Sequence, residues 1–232
     1  SAAFIASILP LLEALYIVYS RYSKPYSRLH LFMNIAIIAG SHRQNSESGK
    51  LAIYIEHTIK QQLAGVNPWV LDLADNPLPL WEEKIWEGDP EWNERLQPIS
   101  RQLMASDGFV IISPEWHGMA PAGLKNFFLM WGKGELAHKP ALIVTVSTAD
   151  GGSYPVAELR MSSYKNSRIC YLPEHLIIRY VDTVFNADIS QNNPDAQAYF
   201  EGRLAYCLNQ LHEYAKAFRQ IRASGAGDLS TY

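Results

Sequence analysis

A chain of 232 residues can bury a sizeable core, and at roughly 100 to 200 residues per domain it accommodates one α/β domain with extensions. Twenty lysines and arginines against twenty-three aspartates and glutamates leave a net charge of −3. That balance excludes the basic footprint of a nucleic-acid binder and the polybasic patch of a membrane-surface protein, so small molecules or further copies of the chain are the expected partners. The two cysteines, Cys170 and Cys207, sit among apolar or aromatic neighbours and read as reduced thiols of a cytoplasmic protein, and no metal-ligating set is assigned.

The run AAFIASILPLLEALYIVY near the start has the length of a membrane span, but Pro10 and Glu13 interrupt it and no small-residue cleavage motif closes it. Residues 1–32 are taken as an extension outside the core fold, with a helix docked on an apolar patch and a membrane anchor as the alternatives. From Met33 the elements alternate. NIAIIA (34–39), PWVLDL (68–73), GFVIIS (108–113) and ALIVTVS (141–147) are short β-branched runs without polar alternation, the pattern of strands buried on both faces of a parallel sheet. Amphipathic helices are expected over 48–63, 91–105, 121–132 and 154–167, a fifth strand at HLIIRYV (175–181), and a last helix from about Pro194 to Ile221, leaving 223–232 as a tail. Strands alternating with helices imply right-handed crossovers and a doubly wound sheet with helices on both faces, whose ligands lie beyond the carboxyl ends of the strands. The loops after the first, third and fourth strands are therefore the expected site.

The first of these loops reads GSHRQNSESGKLA, Gly40 to Ala52. It has neither the Gly-Lys pair of a nucleoside-triphosphate loop nor the GxGxxG of a dinucleotide loop. Gly40 permits a tight exit from the strand, Ser41 and Ser46 supply hydroxyls, Arg43 supplies a charged fork, and a helix N-terminus near Ser48 adds its dipole. A terminal monophosphate suits that set, although an ordinary polar loop with a serine cap contains the same residue types. After the third strand, SPEWHGMAPAGLKNFFLMW places a rigid turn, Pro114-Glu115-Trp116-His117-Gly118, at the same sheet edge. Its backbone can face the edge of a planar heterocycle. Leu124, Phe127, Phe128 and Trp131 share the core face of the following helix.

Gly-Ser-x-Arg-x-x-Ser with Leu51-Ala52 following, Pro-Glu-aromatic-x-Gly followed by Leu124-Lys125-Asn126, and STADGGSYPVAELR at 147–160 together resemble the NAD(P)H-dependent FMN reductase family, which includes quinone, azo-dye and chromate reductases. The resemblance covers about Met33 to Phe218. It implies a flavodoxin-like fold over 33–222, with strand order 2-1-3-4-5 and noncovalent FMN. On that resemblance Ser41, Arg43, Ser46 and Ser48 hold the phosphate, Pro114, Glu115, Trp116, His117 and Gly118 line the isoalloxazine, and Ser147, Gly151, Gly152 and Tyr154 close the pyrimidine side. His117 is the one candidate for a catalytic side chain, since the flavin carries the chemistry. Two departures bear on the acceptor: Trp116-His117 stand where relatives often have Tyr-Asn, and the third loop carries Asp150 and Tyr154.

The resemblance further implies NADPH or NADH as hydride donor and a small acceptor, a quinone, free flavin, azo compound or metal oxyanion, served in ping-pong order by a homodimer or homotetramer. The long aromatic connection 74–92, with Trp81, Trp86 and Trp92, is expected either to rim a neighbouring subunit's flavin or to form a surface loop pinned by its own tryptophans. A one-electron flavodoxin-like carrier and a nucleotide-binding module without turnover are the alternatives. A charge of −3 is too mild for the acidic docking face of a carrier.

Overall fold

The apolar run from Met33 has no room for polar alternation because both of its faces are covered. In the computed structural model, which describes residues 32–228, Met33–Ala39 forms β1 in the interior of a sheet, and residues 1–31, on which the extension was expected, lie outside the described residues. The other strands are β2 (Val66–Asp72), β3 (Gly108–Pro114), β4 (Pro140–Val146) and β5 (Cys170–Ile178). All pairings are parallel and the order is β2-β1-β3-β4-β5, as the resemblance implied. The helices are α1 (Glu47–Gln62), α2 (Lys84–Glu87), α3 (Pro90–Ala105), α4 (Ala122–Met130), α5 (Ser153–Ser162) and α6 (Pro194–Ala223).

The strands divide their side chains between two cores by the period of two. Ile35, Ile37, Val110, Ile112, Leu142 and Val144 face α1 and α6, where Leu51, Ile55, Leu204 and Leu208 meet them. Ala36, Ile38, Phe109, Ile111, Ala141 and Ile143 face α3, α4 and α5, where Leu103, Leu124, Phe127, Trp131 and Leu159 close the second core. Each such side chain stabilises the fold by about 1.5 to 3 kcal/mol. This double burial fixes the register that brings the carboxyl ends of β1, β3 and β4 level. Ala39 pairs with Ile112, and Pro114 with Val146.

Several boundaries differ from the sequence expectation, each for a local reason. β5 begins at Cys170 rather than His175, because an edge strand can alternate burial and tolerate Pro173, which lies where the register with β4 shifts between Ala141 and Ile143. It ends at Ile178, since Arg179 and Tyr180 turn out to bond the loop after β4 and Tyr180 sits at φ 50. The other edge strand, β2, also carries a proline, Pro68. The helix expected over 154–167 stops at Ser162: the hydroxyls of Ser162 and Ser163 take the carbonyls of Glu158 and Leu159, competing with a further helical turn. Pro114 closes β3 from inside the strand rather than beyond it.

The connection 74–92 folds around the short α2, with Trp81 edge-on to Trp86 at 4.7 Å. Trp92 lies in the second core and Trp81 packs against it, so among the three tryptophans only Trp86 is largely exposed. Both cysteines are free thiols, and burial pushes both pKa values up. Among the described residues no helix is long and apolar enough to cross a membrane.

Candidate active site

Gly40 leaves β1 under Ile112 of the neighbouring strand and donates its N–H to that residue's carbonyl at 2.8 Å. A Cβ at position 40 would lie 2.6 Å from the same oxygen and 2.7 Å from a Leu124 methyl, so only glycine fits. The loop then curls on its own hydroxyls. Ser41 Oγ accepts the Arg43 N–H at 3.2 Å, and Ser46 caps α1 by accepting the Gly49 N–H at 3.0 Å. A hydroxyl that accepts from the backbone keeps its own hydrogen to donate outward. Arg43 is exposed and enters none of the ion pairs found among the described residues, which leaves its guanidinium available to an anion. Ser48 is placed differently: its side chain is buried in the first turn of α1 and its hydroxyl has no partner. Gln44 ties the loop to the one after β2 through the Ala74 carbonyl at 2.8 Å. Beneath it the Asp72 carboxylate, whose pKa burial raises, lies where a Cβ on Gly49 would be 2.5 Å away. Lys50 anchors α1 by donating to the Val181 and Val184 carbonyls and to Asn186 Oδ1, at 2.9, 3.0 and 2.8 Å, while pairing with Glu47.

The turn after β3 is a two-residue hairpin. Trp116 and Met119 exchange both backbone hydrogen bonds, at 3.0 and 2.9 Å, and the central His117 and Gly118 have φ of 50 and 73. Positive φ at both central positions marks a primed turn. The hairpin rests on α5, where Glu158 accepts the Ala120 N–H at 2.7 Å and pairs with Lys125 at 2.6 Å. Burial works to raise the Glu158 pKa, but the hydrogen bonds from Lys125 and Ala120 outweigh it and the shift is downward. The Leu-Lys-Asn segment thus has a task for each residue. Leu124 packs on Gly40, Lys125 pairs with Glu158, and buried Asn126 clasps residues 79–81 through the Pro79 carbonyl and the Trp81 N–H, at 2.7 and 2.8 Å.

The third loop, Ser147 to Tyr154, is held from two sides. Arg179 Nε donates to the carbonyls of Asp150 and Gly151 at 2.7 and 3.2 Å, and the Tyr180 hydroxyl donates to Asp150 Oδ1 at 2.7 Å. That hydrogen bond, reinforced by the charge of Asp150, raises the Tyr180 pKa. From the other side Glu115 Oε2 accepts the N–H groups of Gly152 and Tyr154, at 2.6 and 3.3 Å. His42 closes the circuit: its ring meets Trp116 edge-on at 4.8 Å and lies over Gly123 of α4.

Three loops therefore converge on one end of the sheet. Ser41, Arg43 and Ser46 ring the start of α1, Trp116 to Gly118 form the hairpin tip, and Gly151, Gly152 and Tyr154 face that hairpin, with Tyr154 largely exposed near Gly118. Sequence reasoning missed His42, Arg179, Tyr180 and Glu158. The serine hydroxyls, the unpaired guanidinium and the open first-turn amides at α1 fit a phosphate, and the aromatic rings and glycines of the other two loops suit the edge and face of a flat ring.

The chain is 29% identical over 120 residues to the NADPH azoreductase of Bacillus sp. (strain OY1-2), a match spanning 52% of this chain and 61% of that enzyme's length. It is 25% identical over 178 residues to the 2-hydroxy-1,4-benzoquinone reductase of Burkholderia sp., covering 73% and 91% of the two chains. In fold it is similar to the flavoenzyme NAD(P)H:(acceptor) oxidoreductase FerB from Paracoccus denitrificans, with a TM-score of 0.62 at 19% identity over 78% of this chain and 98% of that one. It is similar also to an oxidoreductase from Corynebacterium diphtheriae, with a TM-score of 0.58 at 14% identity over 81% and 98%. The model of NADPH-dependent FMN reductases matches residues 33–182, which contain all three converging loops, and the chain belongs to that family.

Proposed function

We propose that this chain is an NAD(P)H:acceptor oxidoreductase that binds FMN across its three loops and passes electrons to small planar acceptors, quinones and azo compounds foremost, in a ping-pong cycle. The observation that carries this reading is the joining of the loops after β1, β3 and β4 by direct contacts, with hydroxyls and a guanidinium at the start of α1 and aromatic rings and glycines on the other two loops. Bound FMN supplies the two-electron hydride chemistry that no side chain here provides. The protein binds and orients. Arg43 and the hydroxyls of Ser41 and Ser46 hold the phosphate against the α1 dipole. The Trp116 and Met119 backbone groups satisfy each other, which leaves those of His117 and Gly118 at the hairpin tip for the ring edge. Ser147, Gly151 and Gly152 bound the opposite side.

His117 is exposed and bonded to no carboxylate, so its role is to hold the tip rather than to relay a proton. The exposed rings of Tyr154 and Tyr180 and the half-buried Trp116 would flank the bound flavin, where a nicotinamide or a flat acceptor would stack in turn. Single occupancy is what makes donor and acceptor alternate. The names of the azoreductase and benzoquinone reductase relatives point to the same acceptor classes. The test has two stages. Purified protein incubated with FMN should show a protein-bound flavin spectrum that NAD(P)H bleaches, and initial rates with 1,4-benzoquinone should give parallel double-reciprocal lines. A chain that takes up no FMN overturns the reading, and intersecting lines overturn the alternating order.

A further inference from the structure

Helix α5 opens on a residue that cannot cap it. Gly152 is the N-cap, lies at φ 107 and has no side chain to accept from the first-turn amides. The cap comes instead from another loop: Glu115 accepts the N–H groups of Gly152 and Tyr154 through one carboxylate oxygen. A carboxylate at a helix N-terminus gains from the macrodipole, and an ionised acceptor makes hydrogen bonds about twice as strong as a neutral one.

The other oxygen of Glu115 leaves a mark on the sequence. A Cβ on Gly151 would lie 2.9 Å from Glu115 Oε1 and 3.1 Å from Ser147 Oγ. Gly151 is not among the glycines at positive φ, so its backbone would accept alanine. What crowds a side chain there is the Glu115 carboxylate, held in place by its two amides, with the Ser147 hydroxyl beside it. Gly152 is glycine for other reasons, its φ and the Ile177 methyl that would sit 2.5 Å from its Cβ. The Pro-Glu after β3 and the Gly-Gly after β4 are thus parts of one mechanical unit, not two independent walls.

We propose that Glu115 is a positioning residue: without touching reacting atoms, its carboxylate sets the third loop at the separation from the hairpin at which the flavin ring is gripped, and glycine at 151 is the imprint of that carboxylate. The proposal rests on the reading of these loops as a flavin cradle.

A double-mutant cycle on FMN affinity tests it. Gly151→Ala alone should weaken FMN binding about tenfold, because the methyl pushes Glu115 off its amides. Glu115→Ala should weaken it about tenfold or more and alter the visible circular dichroism of the bound flavin at saturating FMN. In the Glu115→Ala background Gly151→Ala should then cost clearly less, since only the Ser147 hydroxyl still borders the methyl. Equal losses from Gly151→Ala in both backgrounds, or an unchanged flavin dichroism, would overturn the proposal. Should Glu115→Ala not fold, Glu115→Asp withdraws the carboxylate by one methylene and should relieve Gly151→Ala in the same way. Wild-type FMN uptake is measured first. If it fails, the flavin reading falls, and the cycle is read on the thermal unfolding midpoint, where the same non-additivity decides the coupling.

Discussion

At position 117 a histidine occupies left-handed backbone space, φ 50, that a residue with a Cβ enters only at a cost. The two-residue primed hairpin selects Asn-Gly most strongly, because asparagine tolerates that region best among residues with a side chain. His117→Asn should therefore raise the thermal unfolding midpoint, by about 0.5 to 1 kcal/mol of stability, and keep FMN bound. His117→Val should lower it by more than 1 kcal/mol or so, since a β-branched residue is a steric outlier there. A lower midpoint for the asparagine variant would show that the imidazole makes a stabilising contact. At this scale the tight exit at Gly40 and the hydroxyl turns at Ser41 and Ser46 were legible in the sequence, because they act through local geometry that residue type alone reports. The Glu115 latch was not, since its amides lie 37 and 39 residues further along the chain. Nor were Arg179 and Tyr180, whose place in an apolar run reads as strand until the loop they bond is in view.

Among elements, the end of α3 depends on a lysine from outside it. The Lys139 ammonium donates to the carbonyls of Leu103, Met104 and Glu135, at 2.7, 3.0 and 2.7 Å, so three N–H groups fill three acceptors at the foot of the second core. Burial, with the charge of Arg222 adding to it, lowers its pKa to about 7, while Asp107 and Glu135 act in the other direction. The unfolded chain would hold the same proton up to 10.5. Between about pH 7 and 10.5 the unfolded state therefore binds more protons, and the stability linked to this group rises with pH. Lys139→Met should cost about 1 to 3 kcal/mol at neutral pH by leaving carbonyls unpaired, and urea midpoints should then rise less between pH 7 and 9 than in the wild type. An identical pH slope would assign the rise to another group. The elements themselves were foreseeable from runs and caps. Their ends were not, because the last turn of α5 is decided by serine hydroxyls and that of β5 by a tertiary contact.

Among the described residues, both cores are built from side chains between Met33 and Ala215. Met33 is itself buried, and its N–H bonds the Gly65 carbonyl at 2.8 Å. The far end of α6 is fastened under the sheet, where Arg219 and Arg222 both pair with the Asp107 carboxylate. We expect a chain beginning at Met33 to express in soluble form, unfold cooperatively and bind FMN as the full chain does. Precipitation, or loss of FMN binding, would show that residues 1–32 cover part of the domain. The parallel, doubly wound sheet was legible from the βα alternation, and its strand order from the resemblance to the FMN reductases. The aromatic connection was not: whether Trp92 faces a neighbour or its own core depends on where α3 starts, and Asp89 sets that by capping it through the Trp92 N–H.

The two prolines on the outer strands carry a consequence for assembly. With Pro68 on β2 and Pro173 on β5, each open border of the sheet lacks a donor in mid-strand. A sixth strand from another copy would find its ladder broken on either side, which guards the protein against edge-to-edge aggregation and domain-swapped ribbons. Pairing of subunits is thereby steered away from the borders of the five-stranded sheet and toward its helical faces.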